Sequence, residues 1–186
     1  TVNALEERVA ALFGHAAALF VPSGTMGNQL CLRLVVPPAE ELLCDADAHV
    51  VTYEHGAAAQ LGGIQSRTVR GGLLSAETVE PELRPAGWGK QPCCGERPAG
   101  WGTVATRAVS VEQTHNRGGG AVHGLADLQG LRALTSAHGI ALHCDGARIW
   151  NAHIATGVPL SGYGALFDTM SVCLSKGLGA PVGSVV

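Results

Sequence analysis

The sequence predicts an α/β fold, a mostly parallel sheet covered by helices on both faces. Three observations predict it. Segments of strand character alternate with segments of helical periodicity along the 186 residues. Several strand segments are apolar throughout, as strands buried on both faces are. The 26 glycines gather largely between apolar runs, where α/β turns need them, and follow no collagen-like period.

Taken in order, "NALEERVAALFG" reads as a helix. Asn3 supplies a cap, Glu6 stands at capping-box spacing, and Leu5, Val9, Leu12 and Phe13 share a face, with Gly14 closing it. "AALFVPSG" is a short apolar strand ending at Pro22, and "TMGNQLCLRLV" a helix stopped by Pro37 and Pro38. "ELLCDADAH" reads as the next strand, with His49 at its end. A helix is expected from Tyr53 to Leu61, ended by Gly62 and Gly63. "IQSRTV" is a strand, "SAETVEPEL" a short helix and "ATRAVSVEQT" a strand. "LADLQGLRALTSAHG" is a helix, and "IALHCDGA" and "DTMSVCLS" are the last two strands.

Composition narrows the function. Hydrophobic residues make up 46 % and charged residues 15 %, which excludes a disordered chain. Aromatics are only 4 %, so Ala, Val, Leu and Ile must build the core. The formal net charge of −3, with no basic run and no interleaved aromatics, argues against a nucleic-acid partner. No run is long and apolar enough to span a bilayer, and no signal peptide opens the chain. The six cysteines, at 31, 44, 93, 94, 144 and 173, form no C-x-x-C pair and read as buried, reduced thiols. The expected compartment is the cytoplasm, with the mitochondrion as the alternative.

One stretch breaks the alternation. "RPAGWG" stands at 84–89 and again at 97–102, separated by "KQPCCGE". Residues 84–105 are therefore expected to form an irregular insertion holding a tandem duplication, not a repeat architecture. The vicinal pair Cys93–Cys94 has poor geometry for a metal or redox site.

The residues able to do chemistry fall at expected strand ends, where α/β sheets collect function. Lys176 is one of only two lysines, the other being Lys90. Following an apolar strand and shielded from water, it suits a Schiff-base amine; alternatively it is a surface lysine. Asp145 follows another apolar run and either meets a cation, such as a protonated ring nitrogen, or caps the segment from Ala147. Arg148 meets a carboxylate or phenolate oxygen, or pairs with Asp145. In "SGTMGN" the amides at a helix start, with the Ser23 and Thr25 hydroxyls beside Gly24, favour one phosphate. The stretch lacks both the P-loop lysine and the dinucleotide glycine spacing. His49 is placed to stack on an aromatic ring, and His115 in "EQTHNRGGG" to act as an acid–base group or an orienting donor. Zinc is not expected: the pairs His143/Asp145 and His49/His55 supply no third ligand at a suitable spacing. An anion cradle, a ring stacker, a carboxylate for a ring nitrogen and an amine are the parts that hold pyridoxal 5'-phosphate.

"LFVPSGTMGN", "EQTHNRGGG", "HCDGARIWNAHIATGVP" and "CLSKGLGAPVGS" resemble the low-specificity L-threonine aldolases, within the aspartate-aminotransferase-like group of pyridoxal-phosphate enzymes. The resemblance runs through nearly the whole chain apart from the tryptophan-containing insertion. It implies that residues 1–186 are a partial large domain, lacking an N-terminal segment before Thr1 and a smaller C-terminal domain after Val186. It implies that Lys176 holds the cofactor, Asp145 pairs with the pyridine nitrogen, and Ser23, Gly24 and Thr25 surround the phosphate. It implies that His49 stacks on the ring, that Arg148 contacts the ring oxygen or the substrate carboxylate, and that His115 lies near the substrate hydroxyl. The implied reaction is cleavage of L-threonine or L-allo-threonine to glycine and acetaldehyde by a homodimer or homotetramer. Two alternatives stand beside it: another lyase or aminotransferase of the same fold group, and an inactive remnant or truncated isoform that binds at most cofactor or a partner subunit.

Overall fold

The computed structural model describes residues 1–84 and 103–186. Both copies of the duplicated motif beyond Arg84, together with Cys93 and Cys94, lie outside the described residues. The elements begin with helix α1 (Val2–Phe13), strand β1 (Phe20–Val21), helix α2 (Gly24–Val35) and strand β2 (Glu41–Asp45). Short helices α3 (His49–Thr52) and α4 (Ala57–Gly62) lead to β3 (Gln65–Val69), α5 (Ala76–Val79) and a 3-10 turn (Glu80–Glu82). Then come β4 (Thr106–Glu112), α6 (Leu125–His138), β5 (Ala141–Gly146), α7 (Ile149–Thr156), α8 (Leu160–Gly164), β6 (Thr169–Cys173) and β7 (Ser184–Val185).

Among the described residues the strands form a single sheet in the order β1-β7-β6-β5-β4-β2-β3. The five strands from β6 to β3 are parallel, and β7 runs antiparallel to both of its neighbours. The expected fold class therefore holds, with an antiparallel edge. Side chains alternate across the pleat. Leu42 and Ala108 pack into a cluster with Leu32, Val36 and Ile64 on one face. Leu43 and Val109 point to the other face and join Leu128, Leu131, Leu142 and Phe13. Each buried leucine stabilises by roughly 2 kcal/mol relative to exposure.

Several boundaries differ from the expectation. Thr1, not Asn3, caps α1, its hydroxyl accepting from the Ala4 amide at 3.4 Å. Glu6 completes no capping box; its Oε1 accepts from the Phe20 amide at 2.7 Å and ties α1 to β1. The strand expected to reach His49 stops at Asp45. Asp45 Oδ1 accepts from the Asp47 amide at 2.9 Å, an Asx turn that bends the chain out of the sheet and puts His49 at the start of a helix. The helix expected over Tyr53–Leu61 is shorter, because a turn with His55 and Gly56 at positive φ precedes α4. Helices α7 and α8 and strand β7 are additional to the elements read from the sequence.

A second buried network ties down the opposite end of the sheet. Glu41, fully buried at the start of β2, accepts from Arg67 Nε at 3.0 Å, Arg84 Nη1 at 2.7 Å and Thr106 Oγ1 at 2.8 Å. The last described residues before 85 and the first strand after 102 are thereby fastened to one carboxylate.

Candidate functional site

Parallel β2, β4, β5 and β6 deliver their carboxyl ends to one edge of the sheet, and α2 starts at the same edge. Asp145 stands next to last in β5 and is buried. Its Oδ1 accepts from the Ala147 amide at 3.1 Å, so the capping reading holds for that oxygen. Its Oδ2 accepts from Asn28 Nδ2, one turn into α2, at 2.8 Å. The same Asn28 Nδ2 donates to Glu54 Oε1 at 2.8 Å, and Glu54 Oε2 accepts from Gln29 Nε2 at 2.6 Å. His49 Nδ1 lies 2.9 Å from Glu54 Oε1 and 4.0 Å from Asp145 Oδ2. One buried asparagine thus links the candidate stacking histidine to the candidate ring-nitrogen carboxylate.

The electrostatics follow from this packing. The hydrogen bond to Glu54 raises the His49 pKa above the ordinary imidazole value; burial opposes the rise, Asp145 adds to it, and Lys176 opposes it through its charge. Burial also raises the Glu112 carboxyl, which receives the backbone amides of His49 at 3.1 Å and Asn116 at 3.2 Å. His143, one of the residues weighed for zinc, faces Asn28 Oδ1 through Nε2 at 3.3 Å and Thr169 Oγ1 through Nδ1 at 2.9 Å. Its burial lowers its pKa to about 4, so it is neutral and serves as a prop for Asn28. The nearest side-chain ligand atoms of His49, Glu54 and Asp145 converge within 4.8 Å, but hydrogen bonds among them and to Asn28 already engage those atoms.

Lys176 follows β6 in an exposed turn, and its Nζ lies 3.6 Å from Cys173 Sγ. That sulfur abuts the start of α2: a Cβ at Gly24 would lie 2.9 Å from it. The amine, through Cys173, is therefore close to the helix N-terminus that carries Ser23, Gly24 and Thr25. Ser23 caps α2, its Oγ accepting from the Met26 amide at 3.2 Å. The Gly24 and Thr25 amides, like any first-turn amides, have no intrahelical acceptor. Arg148 stands just before α7, partly buried. The ion pair with Asp145 weighed from the sequence is not formed: among the described residues its guanidinium has no carboxylate partner.

His115 sits apart from this group. It is buried, with Nε2 2.9 Å from Asp45 Oδ1, and its Nδ1 accepts from the Gly118 amide at 2.9 Å. An Nδ1 that accepts leaves the proton on Nε2, donated to Asp45. Both ring nitrogens are engaged, so in this arrangement His115 orients the 115–121 turn, and the orienting alternative fits its geometry. Sequence reasoning missed Asn28 as a link, and Gln29, Glu54 and Glu112 altogether. An apolar cavity of about 470 Å³ lies elsewhere, between α1, α2 and the β6–β7 edge, and none of the predicted site residues lines it.

Known proteins share this arrangement of chain. The family model described as beta-eliminating lyase matches residues 1–186. A low-specificity L-threonine aldolase 1 of Arabidopsis thaliana is 38 % identical over all of this chain and 50 % of its own length. A low specificity L-threonine aldolase of Saccharomyces cerevisiae is 39 % identical over 98 % of this chain and 44 % of its own. Among solved structures, a putative L-allo-threonine aldolase of Listeria monocytogenes superposes with a TM-score of 0.78 at 23 % identity, covering 99 % of this chain and 47 % of that one. A Leishmania major threonine aldolase gives 0.77 at 22 % identity, over 95 % and 49 %. The chain spans about half the length of the curated relatives it matches. With the family model matched from end to end, this chain belongs to the beta-eliminating lyase family.

Proposed function

We propose that this chain is the cofactor-binding half of a pyridoxal-phosphate-dependent aldolase that cleaves L-threonine or L-allo-threonine to glycine and acetaldehyde. The observation that carries the reading is the charge state of the site. Asp145 and Glu54 are both buried, and neither has a lysine or arginine partner among the described residues. Buried carboxylates require a cation. His49 supplies one, and a protonated pyridine nitrogen at Asp145 supplies the second. The residues present therefore fit the cofactor.

In this reading Lys176 holds the cofactor through Nζ, and Asp145 keeps the ring nitrogen protonated. The α2 start, with Ser23, Gly24 and Thr25, binds the phosphate. His49 lies over the ring, and Arg148, with no carboxylate partner among the described residues, takes the ring oxygen or the substrate carboxylate. When bound, the cofactor supplies the electron sink for the charge left on Cα as the Cα–Cβ bond breaks. The proton on the substrate hydroxyl must leave as that bond breaks. His49 Nε2 has no partner among the described residues, and in the neutral ring, with Nδ1 donating to Glu54, it is the available acceptor. His115 reaches the hydroxyl only by releasing Asp45 or Gly118, so its part is to place the 115–121 turn near the substrate. Assembly as a homodimer or homotetramer belongs to the same reading, by resemblance alone. The cytoplasm is the proposed compartment: Cys31, Cys44, Cys144 and Cys173 are all buried and unpaired, as in a reducing environment. None of the described helices is long and apolar enough to cross a membrane.

The chain's two lysines make the test direct. Incubation with pyridoxal phosphate, borohydride reduction and peptide mapping should place the adduct on Lys176. An adduct on Lys90, or none, refutes the proposal; none at all favours the inactive-remnant alternative. Acetaldehyde released from threonine, with no keto acid formed, separates the aldolase from a β-eliminating lyase or aminotransferase.

A further inference from the structure

We propose that Glu54 is the positioning residue of this site: it fixes a proton on His49 Nδ1 and, through Asn28, links that imidazole to Asp145. The inference rests on the functional reading above and adds a role that the reading did not contain. Glu54 lies in the turn before α4 and its side chain is fully buried. Its three contacts are all side chains: His49 Nδ1 at 2.9 Å, Asn28 Nδ2 at 2.8 Å and Gln29 Nε2 at 2.6 Å. Nothing else among the described residues explains why a carboxylate was placed there. It caps no helix, meets no arginine or lysine, and touches no backbone amide.

The geometry dictates what the carboxylate does. An ionised carboxylate only accepts, so His49 Nδ1 must carry hydrogen. That leaves Nε2 as the one position whose protonation can change, and Nε2 is the edge of a half-buried ring that has no partner among the described residues. Asn28 Nδ2 donates one hydrogen to Glu54 and the other to Asp145, so a single amide group is shared by the two acids. A shift in the charge of one acid is felt by the other across that amide. The groups facing His49 come from four places in the fold. They are Glu54 and Tyr53 after α3, Asp145 of β5, Glu112 of β4 at its backbone amide, and Lys176 after β6. Among the described residues only Glu54 contacts the ring nitrogen within hydrogen-bond distance.

The test reads His49 itself. Nitrogen-15 NMR of histidine-labelled protein, without cofactor, gives the tautomer and titration midpoint of the ring, with His49→Gln assigning the signal. In the unsubstituted protein Nδ1 should be protonated and the midpoint should lie above that of an ordinary imidazole. Glu54→Gln keeps the shape and removes the charge; the midpoint should fall toward the ordinary value and the tautomer preference should be lost. Glu54→Asp, which restores the charge one methylene short, should recover part of both. The same variants titrated with pyridoxal phosphate should show a roughly tenfold loss of affinity for Glu54→Gln and a smaller loss for Glu54→Asp, one charge-assisted hydrogen bond being involved. An unchanged midpoint and tautomer in folded Glu54→Gln overturns the inference. If that variant fails to fold, an unsubstituted ring protonated at Nε2 rather than Nδ1 overturns it equally. Failure of the unsubstituted protein to bind cofactor refutes the functional reading instead, and the ring titration still decides the Glu54–His49 link.

Discussion

Asn28→Leu removes the amide that joins the two halves of the site while keeping a side chain of the same length and branching. Asn28 is buried and gives both hydrogens of Nδ2 to carboxylates, each at 2.8 Å. The amide cannot be turned the other way, because its oxygen would then face two acceptors. Hydrogen bonds to charged groups contribute about 1.5–3 kcal/mol each. Losing both costs about 3–6 kcal/mol, and the added apolar burial of leucine offsets about 1–2 kcal/mol. A net loss of about 3 kcal/mol is therefore expected. Glu54 retains His49 and Gln29, and Asp145 retains the Ala147 amide, which keeps the loss from being larger. Urea unfolding followed by circular dichroism measures it. With a slope of about 2 kcal/mol/M, the midpoint should fall by about 1.5 M at unchanged slope. A loss below about 1 kcal/mol would show that the two carboxylates do not depend on Asn28, and the linked-site argument would fail with it.

Three further outcomes follow from other parts of the fold. Gly164→Ala should destabilise by about 3 kcal/mol in the same urea assay, because its Cβ would land on the Phe13 backbone carbonyl where α1 crosses α8. Glu41→Gln leaves Arg67 and Arg84 without their shared charge and should cost about 3 kcal/mol, read by urea midpoint. The pH dependence has a definite sign. Burial lowers His123 and His143 to about 4, so between pH 6.5 and 4 the unfolded chain takes up protons that the folded chain refuses, and stability falls as pH falls through that window. His49 acts in the other range: its raised pKa contributes stability that is complete below pH 6.5 and is lost as pH rises through the folded value. Thermal midpoints across pH 4–9 should peak near neutrality, and His143→Gln should flatten the acid side.

The sheet was legible because its signals are local. "IALHCDGA" and "ATRAVSVEQT" are apolar runs that became β5 and β4, and Asp145 within the first and His115 just after the second fell near the strand ends as expected. Lys176 was likewise placed by the apolar run before it. The linking residues were not legible for the converse reason. Asn28 finds Glu54 26 residues away and Asp145 117 residues away, and no spacing in the sequence announces either contact. His49 was assigned to a strand because "ADA" is nearly apolar; the side-chain turn made by Asp45 overrides that pattern. Helix α7 escaped because its apolar residues do not keep to one side: Ile149 is buried while Ile154 is 80 % exposed.

The carboxylate of Glu41 has a consequence for how this chain has varied. It grips Arg84, the first residue of the duplicated motif, and Thr106, so the described residues on both sides of 85–102 are stapled to one point of the scaffold. Copying a hexapeptide between such staples lengthens a tether without moving either anchor. Doubling a tether's length adds only about 0.6 kcal/mol of closure entropy. A single buried acid thus gives evolution a place to write new sequence while the edge that carries the candidate site, at the far end of the same strands, keeps its shape.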